Sequence, residues 1–435
     1  MYSSIDATAN DNGKGKDDSN MMSHDGTSMD IASDDDSEQT DGKQESLQGP
    51  VWSKSQFAKV DLLGAALHQS VEKKQEHLNQ KDKKETERIR LPFEILMHIF
   101  DIFDHKGKLG PEHLRICRDL YWGLLPKIYC SPKLKSRNFA SFMDTVVSSK
   151  HVGNLVKELD LSYIIQGGKN ASVARLLKRT KENLELFVAP QASFGFGPLI
   201  ALKNCKKLRI LDLRLVSEKL NLEELFLSLS NLHDLTHLSF PRSSVELNDL
   251  KGITWPTNLS FLRLSGGITD DFLLHCDFPL TITHLEFAHC PHITDTGFQC
   301  ILEKLGRNLK ALRVQYPMPK LKSNSLDSVL IVCPFLVVLE VAVDYVSSTF
   351  FDEENLSFLP FLRPLRTLYI ESSGLLGTST RIHPIDLAVA INEDRLPCLK
   401  NLRCTAKLGW NPDSDYVSYI AEKLEERGGG LYIGY

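Results

Sequence analysis

The chain has 435 residues, of which 42% are hydrophobic and 25% are charged, as in an ordinary globular protein. Residues 1–50 carry 12 Asp or Glu against 3 Lys, a net charge of −9. Because the whole chain carries −5, about +4 is left for residues 51–435. This near-neutral part lacks the basic field of a nucleic-acid-binding protein, so we expect no nucleic-acid partner. No run approaches 18 apolar residues and no secretory signal is recognisable, so we expect no membrane contact.

The nine cysteines are an odd number and form no CxxC pair. This usage is typical of reduced thiols packed as small apolar residues, and it predicts a cytoplasmic or nuclear protein or one found in both.

Residues 1–50 are rich in Ser, Asp, Asn and Gly, and we predict a disordered acidic tail there. Residues 51–88 are predicted to be a helical or linker segment, because apolar residues recur at near-helical spacing. These residues are Phe57, Val60, Leu63, Leu67, Val71 and Leu78. The resulting stripe could dimerise the protein or pack onto the chain's own next part, and the second arrangement is the commoner one.

Residues 89–134 form a block of two predicted short helices. Leu91-Pro92 suits a helix start, because proline's fixed φ and missing N–H are tolerated in the first turn. A second helical pattern runs from Leu114 to Leu125 and is predicted to stop at Pro126. Two short helices bury little surface by themselves, so we expect a partner or the rest of the chain to cover their apolar faces.

From residue 156 onwards an apolar-x-x-apolar-x-apolar pattern recurs ten times, with starts 23 to 34 residues apart. The repeats begin at Val156, Leu184, Leu208, Leu235, Leu259, Ile282, Leu309, Leu336, Leu365 and Leu399, and Leu431 with Ile433 would close the stack. The period is close to that of leucine-rich repeats. One such unit cannot bury its own apolar edge, so residues 135–435 are predicted to be an α/β leucine-rich-repeat solenoid of about ten repeats plus a closing strand.

The helical block resembles an F-box. The stretch Leu91-Pro-Phe-Glu-Ile-Leu-Met-His-Ile-Phe100 is similar to the family's opening, and Leu114-Arg-Ile-Cys117-Arg118 is similar to its middle. Pro126-Lys-Ile-Tyr129 resembles a fungal-style ending, whereas the tryptophan usual three residues after the cysteine is Leu120 here. With the repeats that follow, the chain resembles the F-box/leucine-rich-repeat substrate receptors of SCF (Skp–cullin–F-box) ubiquitin ligases.

That resemblance implies a small all-helical F-box that docks on a Skp-type adaptor and, through it, on a cullin. It implies that the repeats hold a protein substrate for ubiquitination and proteasomal degradation, with no catalysis by this chain. The implied adaptor-binding residues are Leu91, Pro92, Ile95, Leu96, Ile99 and Phe100. The alternative is an amphipathic helix that only caps the solenoid, since terminal repeats need such a cap.

Two Thr-Asp pairs, Thr269-Asp270 and Thr294-Asp295, follow predicted strands and resemble the family's lead into an outer helix. We predict that they cap helix N-termini, where a side-chain oxygen accepts an otherwise unpaired N–H.

Alternation along a strand indicates which residues point away from the helices and so onto the predicted concave face. In the C-terminal half this row mixes Arg, Glu and Tyr, a composition suited to a specific protein interface. The predicted substrate-binding residues are Arg263, Glu286, Arg313, Glu340, Tyr369 and Arg403. Exposed strand faces are polar in any case, which is the alternative interpretation.

His275-Cys276 and His289-Cys290 with His292 form a candidate metal site, but their spacing fits no standard paired site. The repeat register explains Cys276 and Cys290 more simply as small core residues. No nucleotide-binding, zinc-protease or hydrolase motif appears, so we expect no catalytic residue, cofactor or metal. The two leading hypotheses are an SCF substrate receptor and a repeat protein that acts stoichiometrically as a regulator or scaffold without a ligase.

Overall fold

The computed structural model describes residues 91–165, 170–191, 194–245, 253–357, 359, 361–374 and 381–434. The predicted tail (1–50) and helical segment (51–88) lie outside the described residues. Residues 90–435 form one compact unit. No described helix is long and apolar enough to cross a bilayer.

The unit begins with four helices. They are α1 (Phe93–His105), α2 (Arg118–Cys130), α3 (Ser136–Ser148) and α4 (Lys150–Gly153), with a 3-10 turn at Pro111–Arg115 between the first two. A small core of Phe100, Leu120 and Leu124 joins α1 to α2. The predicted end of the second helix at Pro126 is wrong, because α2 continues to Cys130. The buried Leu124 and Leu125 hold the helix in place just before the proline.

The remainder alternates short strands with helices, and eleven parallel strands of the described residues form one large open sheet. They are β1 (Glu158–Asp160), β2 (Leu186–Val188), β3 (Ile210–Asp212), β5 (His237–Ser239), β7 (Phe261–Leu264), β8 (His284–Ala288), β9 (Ala311–Gln315), β10 (Val338–Ala342), β11 (Thr367–Glu371), β12 (Asn401–Thr405) and β13 (Gly430–Gly434). Each of the first ten contains the central part of one predicted apolar repeat, and β13 is the predicted closing strand. A separate pair, β4 (Leu220–Asn221) and β6 (Ser244–Val245), forms a second small parallel sheet.

The strands pair in register, so that the central apolar residue of each strand stands beside the central apolar residue of the next strand. We call this set the leucine column: Leu159, Phe187, Leu211, Leu238, Leu262, Leu285, Leu312, Leu339, Leu368, Leu402 and Leu431. All but Leu431 are buried. Because side chains alternate along a strand, the neighbouring residues stand on the opposite side of the sheet, which we call the open face.

Helices and 3-10 turns pack on the leucine-column side. The helices are α5 (Asn170–Thr180), α6 (Phe196–Leu202), α7 (Leu222–Leu229), α8 (Asp270–His275), α9 (Asp295–Leu305), α10 (Val329–Val332), α11 (Pro384–Asn392) and α12 (Asp415–Glu426). The 3-10 turns are Val343–Tyr345, Ser348–Phe351 and Ala406–Leu408. Apolar residues of these elements and of the strands form one continuous core.

Polar side chains join consecutive units. As predicted, Thr269 and Thr294 are helix N-caps, whose hydroxyls accept the N–H groups of Phe272 and Thr296. The adjacent Asp270 also accepts hydrogen bonds from the N–H of Thr294 at 2.8 Å and from its hydroxyl at 2.5 Å. The carboxylate of one unit therefore fixes the start of the next unit's helix.

The two ends of the sheet differ. At the β1 end, Phe139, Met143 and Val146 of α3 join the main core, and the N–H of Lys157 donates to the carbonyl of Cys130 at 2.9 Å. The β1 end is therefore covered by helices. At the other end, β13 pairs only with β12 among the described residues.

Replacing Leu312 by Ala should lower the urea midpoint of unfolding, with a loss of about 2–5 kcal/mol, because it leaves a cavity in the leucine column. Leu280→Ala is the matched control, since Leu280 is 69% exposed. Equal losses in the two variants would contradict the column's role.

Candidate binding surfaces

Helix α1 is apolar on more than one side, and the six predicted adaptor-binding residues divide accordingly. Leu91, Pro92, Ile95 and Ile99 are exposed, whereas Leu96 is half-buried and Phe100 is only 7% exposed. Leu96 and Phe100 are one helical turn apart and pack into the small core with α2. They therefore support the helix from within rather than lining its free surface.

The free side of α1 carries more apolar residues than the prediction named. Ile95, Ile99 and Ile102 follow one another at i, i+4 and i+7, and all three are exposed. Phe103 is exposed beside them, whereas the partly exposed Phe93 lies on the other side of α1, next to Gly123 of α2. We call the set of Leu91, Ile95, Ile99, Ile102 and Phe103 the α1 apolar surface. Contiguous apolar exposure of this kind marks an interaction site.

At the position where the F-box pattern has a tryptophan, this chain has a buried leucine. Leu120, which stands there, is 2% exposed and belongs to the small core. Trp122 is exposed instead, with its ring centroid 5.2 Å from that of Tyr121 and 6.0 Å from that of His151. The departure from the pattern therefore leaves the α1–α2 packing intact.

On the open face the predicted substrate-binding residues stand in one row across adjacent strands. The pairing sets Arg263 beside Glu286, then Arg313, Glu340, Tyr369 and Arg403, and Tyr432 comes last. We call this the arginine–glutamate row. Its arginines and tyrosines are exposed or half-buried, whereas Glu286 and Glu340 are buried.

The buried carboxylates of the row are paired with its cations. Arg263 donates from Nη1 to Oε1 of Glu286, and Arg313 Nε lies 3.4 Å from Oε2 of Glu340. Gln315 Nε2 donates to Oε1 of Glu340 at 2.9 Å. Burial raises the pKa of Glu286, and the neighbouring Arg263 opposes this increase. The middle of the row is thus a compensated charge network rather than an open cationic patch.

The C-terminal end of the row is different. Arg403 makes no ion pair within the described residues, and its guanidinium lies over the ring of Tyr432 at 5.2 Å. Tyr369 stands beside Arg403 on the neighbouring strand, β11. Glu371, on β11, has a pKa raised by burial and by the carboxylate of Glu340, and the nearby guanidinium groups of Arg403 and Arg313 oppose this increase. This end offers a stacked, solvent-facing guanidinium flanked by aromatic rings, a geometry suited to an acidic partner group.

A second row on the open face was missed by the sequence reasoning, although the same alternation, two residues earlier, indicates it. It places His237, Phe261 and His284 side by side on β5, β7 and β8. His237 stacks on Phe261 with the ring centroids 5.4 Å apart.

Hydrogen bonds indicate the tautomer of both histidines. The hydroxyl of Thr236 donates to the carbonyl of Arg209 at 3.0 Å, so it accepts from Nδ1–H of His237 at 2.8 Å. Thr283 repeats this arrangement with His284. Burial is the main cause that lowers the pKa of both histidines. The neutral rings leave Nε2 as an acceptor.

Cys276 and Cys290 are buried in the core, as the repeat register predicts. Cys276 Sγ accepts from Nε1 of Trp255 at 3.2 Å, and Cys290 Sγ donates to the carbonyl of Leu264 at 3.3 Å. Burial raises the pKa of the Cys290 thiol to about 12, so this sulfur is an inert core atom.

Comparison with known proteins gives the following similarities. The COS11 F-box domain family matches residues 89–167. F-box protein YDR306C of Saccharomyces cerevisiae is 47% identical over 364 residues, covering 79% of this chain and 76% of the relative. Protein pof5 of Schizosaccharomyces pombe is 36% identical over 347 residues, covering 79% of this chain and 98% of the relative.

Arg263→Met should destabilise the protein by about 3 kcal/mol at pH 7, because it leaves the carboxylate of Glu286 buried without its strongest partner. The pKa of Glu286 is already raised in the folded protein, so the folded state binds the extra proton more readily than the unfolded state does. The loss should therefore shrink as the pH falls from 7 to about 5.

Urea unfolding at the two pH values measures this difference. The double variant Arg263→Met/Glu286→Gln removes both charges and is the control, which should lack the pH-dependent difference. An equal loss at both pH values in the single variant would contradict the pairing.

Proposed function

Because this chain belongs to the F-box protein family, we propose that it is the substrate-recognition subunit of an SCF ubiquitin ligase. Its helical block would bind a Skp-type adaptor and, through that adaptor, a cullin. The open face of its sheet would bind the protein substrate that is then ubiquitinated and degraded. The observation that carries the proposal is the α1 apolar surface, which the chain's own core leaves exposed. Such a receptor would work in the cytoplasm, the nucleus or both, where its nine free thiols remain reduced.

We also propose that the strand–helix units are leucine-rich repeats and that the sheet is the inner surface of a solenoid. The 23- to 34-residue spacing of the repeats, the parallel in-register strands and the leucine column support this assignment. In such an architecture the open face is the concave one, and it presents a binding surface many strands wide.

The adaptor is proposed to contact the outer stripe of α1. Ile95, Ile99 and Ile102 form a stripe that a partner helix can cover, while the inner stripe holds α1 on α2. A helix with apolar residues on both sides must be covered on both sides. The division of the helix therefore assigns one side to the fold and the other to the partner.

Ile99→Asp should lower the affinity for the adaptor by roughly 30-fold or more, because a carboxylate would be buried in an apolar contact. The free protein should keep its melting temperature, since Ile99 is exposed. Titration with purified adaptor measures the affinity.

Two variants serve as controls. Leu227→Asp places the same charge at an exposed leucine of α7 and should leave the affinity unchanged. Phe100→Asp should lose binding together with the fold of the helical block, because that ring is buried. Full adaptor binding by both Ile95→Asp and Ile99→Asp would refute docking through this surface and favour the stoichiometric scaffold.

The substrate is proposed to lie across the arginine–glutamate row, with Tyr369 and Arg403 as its anchors. Tyrosine and arginine contribute most of the binding energy in many protein interfaces. Within the row, the guanidinium of Arg403 is stacked and unpaired, and Arg313 is exposed above Glu340. The guanidinium groups of Arg313 and Arg403 are three strands apart, roughly 14 Å from each other at ordinary strand spacing, so each would bind a separate acidic or phosphorylated group of the substrate.

The variant Arg313→Ala/Arg403→Ala should slow the turnover of at least one substrate severalfold while leaving the adaptor complex intact. Substrates would be identified by proximity labelling, and their half-lives measured in cells that carry the variant. Arg366→Ala/Lys400→Ala is the matched control, since it removes the same charge from exposed residues outside the row. Unchanged turnover of every substrate, or an equal effect of the control, would contradict recognition by the row.

A further inference from the structure

The last strand of the large sheet, β13, has an open edge. It pairs with β12 alone in the described part of the chain, and the N–H of Gly430 donates to the carbonyl of Lys400 on that side at 2.9 Å. Backbone groups alternate in direction along a strand. The N–H and C=O groups of Leu431 and Ile433 therefore point away from β12, towards the open edge.

The apolar core is also incompletely covered at this edge. In β12 the core-facing Leu402 and Cys404 are each 1% exposed, whereas their partners in β13, Leu431 and Ile433, are only half-buried. The terminal units of a stacked-repeat protein require a cap for this reason. At the opposite end of the sheet, α3 provides such a cover.

Natural sheets guard their exposed edges with charged residues, prolines or bulges. At the opposite end, β1 carries exposed Glu158 and Asp160 on either side of its column leucine. In contrast, β13 has the sequence Gly-Leu-Tyr-Ile-Gly, without charge or proline, and pairs regularly with β12 over all five residues. It lacks the features that normally prevent edge-to-edge pairing.

The sequence of β13 is nearly palindromic about Tyr432. If two copies pair antiparallel about a two-fold axis at Tyr432, each Leu431 stands opposite the other copy's Ile433. These are the residues whose backbone groups point outwards, so each such pair exchanges two hydrogen bonds. Both apolar residues stay on the core side of the sheet, and a register slip by one residue would break this match.

The central pair of this arrangement is Tyr432 with Tyr432 of the second copy. It is a non-hydrogen-bonded pair, in which the side chains approach most closely, with Cα atoms about 4.5 Å apart. Tyr432 is 57% exposed on the open face, and the part of its ring not covered by the guanidinium of Arg403 is available for this contact. Aromatic pairs facing each other across strands stabilise a sheet.

We infer that the open edge of β13 pairs with β13 of a second copy of this chain, so that the protein forms a two-fold dimer in which the two large sheets are continuous. The contact is isologous and closes on itself, because each copy covers the other's free edge. This inference does not depend on the proposed ligase function.

The test uses the full-length protein and variants in which a charged side chain is placed at the two-fold axis. Light scattering during size-exclusion chromatography, across a dilution series, should show a species of about 98 kDa, twice the 49.0 kDa of one chain. Tyr432→Lys and Tyr432→Glu should each raise the dimer dissociation constant about tenfold, because like charges then stand directly opposite each other. An equimolar mixture of the two variants should restore the dimer, since opposite charges then face each other.

A second pair of variants examines the backbone. Ile433→Pro removes an outward N–H that has no partner in the described part of the chain, so it should weaken the dimer while the variant stays folded. Ile433→Val keeps that N–H and should dimerise like the original protein.

Each of the following outcomes would overturn the inference. A monomer at all concentrations would show that the edge is not used, and exchange-protected amides at 431 and 433 in that monomer would show that another part of the chain covers it. A dimer that resists all the Tyr432 and Ile433 changes would use a different surface. Failure of the mixed charges to restore the dimer would place the axis elsewhere.

Discussion

The leucine column is the interaction on which the other features of the sheet depend. Each unit contributes one strand of three to five residues, too short to be stable alone, and one central apolar side chain with neighbours above and below it. Those side chains are shielded from water only when the next unit is in register. Burying each one contributes on the order of 2 kcal/mol, so the column both drives stacking and fixes the register.

Because the column fixes the register, it also determines the composition of the open face. A shift of one residue would exchange the two faces of a strand and turn the arginine–glutamate row into the core. The carboxylate bridges between units act in the same direction. Asp327 accepts from the N–H and hydroxyl of Ser347, and Asp344 accepts from those of Ser373, so these units repeat the contact that Asp270 makes with Thr294. Apolar packing sets the order of the strands, and these bonds fix where each next unit begins.

The sequence alone was enough to predict the positions of the eleven strands of the large sheet and the residues of the arginine–glutamate row, because a period of two within each repeat leaves one register that buries the leucines. It was not enough to predict burial within the row. Glu286 and Glu340 are buried because the long arginine side chains of neighbouring strands lie against them, and such contacts depend on side-chain conformation. The row of His237, Phe261 and His284 obeys the same alternation, but it was not predicted because its residue types form no recognisable pattern along the sequence.

The helical block was harder to predict, for a related reason. Helix α1 has apolar residues on several sides, so periodicity could not distinguish the inner stripe of Leu96 and Phe100 from the outer stripe of Ile95 and Ile99. The course of α2 through Pro126 could not be predicted either. A proline inside a helix removes one hydrogen bond, and tertiary packing decides whether the helix continues. In both cases the deciding contacts come from other segments of the chain.

Helix α2 also joins the two proposed binding surfaces. Leu124 packs into the small core with Phe100, whereas the next residue, Leu125, packs into the main core that contains the leucine column. Leu134, just after this helix, belongs to the same main core. A flexible connection would let the two surfaces take many relative orientations, and each productive encounter would then carry an entropic cost. Since adjacent leucines of one helix are held in two cores, the α1 apolar surface and the sheet are connected by packed side chains. A receptor that presents a bound protein to a separate enzyme would gain from this connection, because the position of the substrate relative to the adaptor is then set by folding.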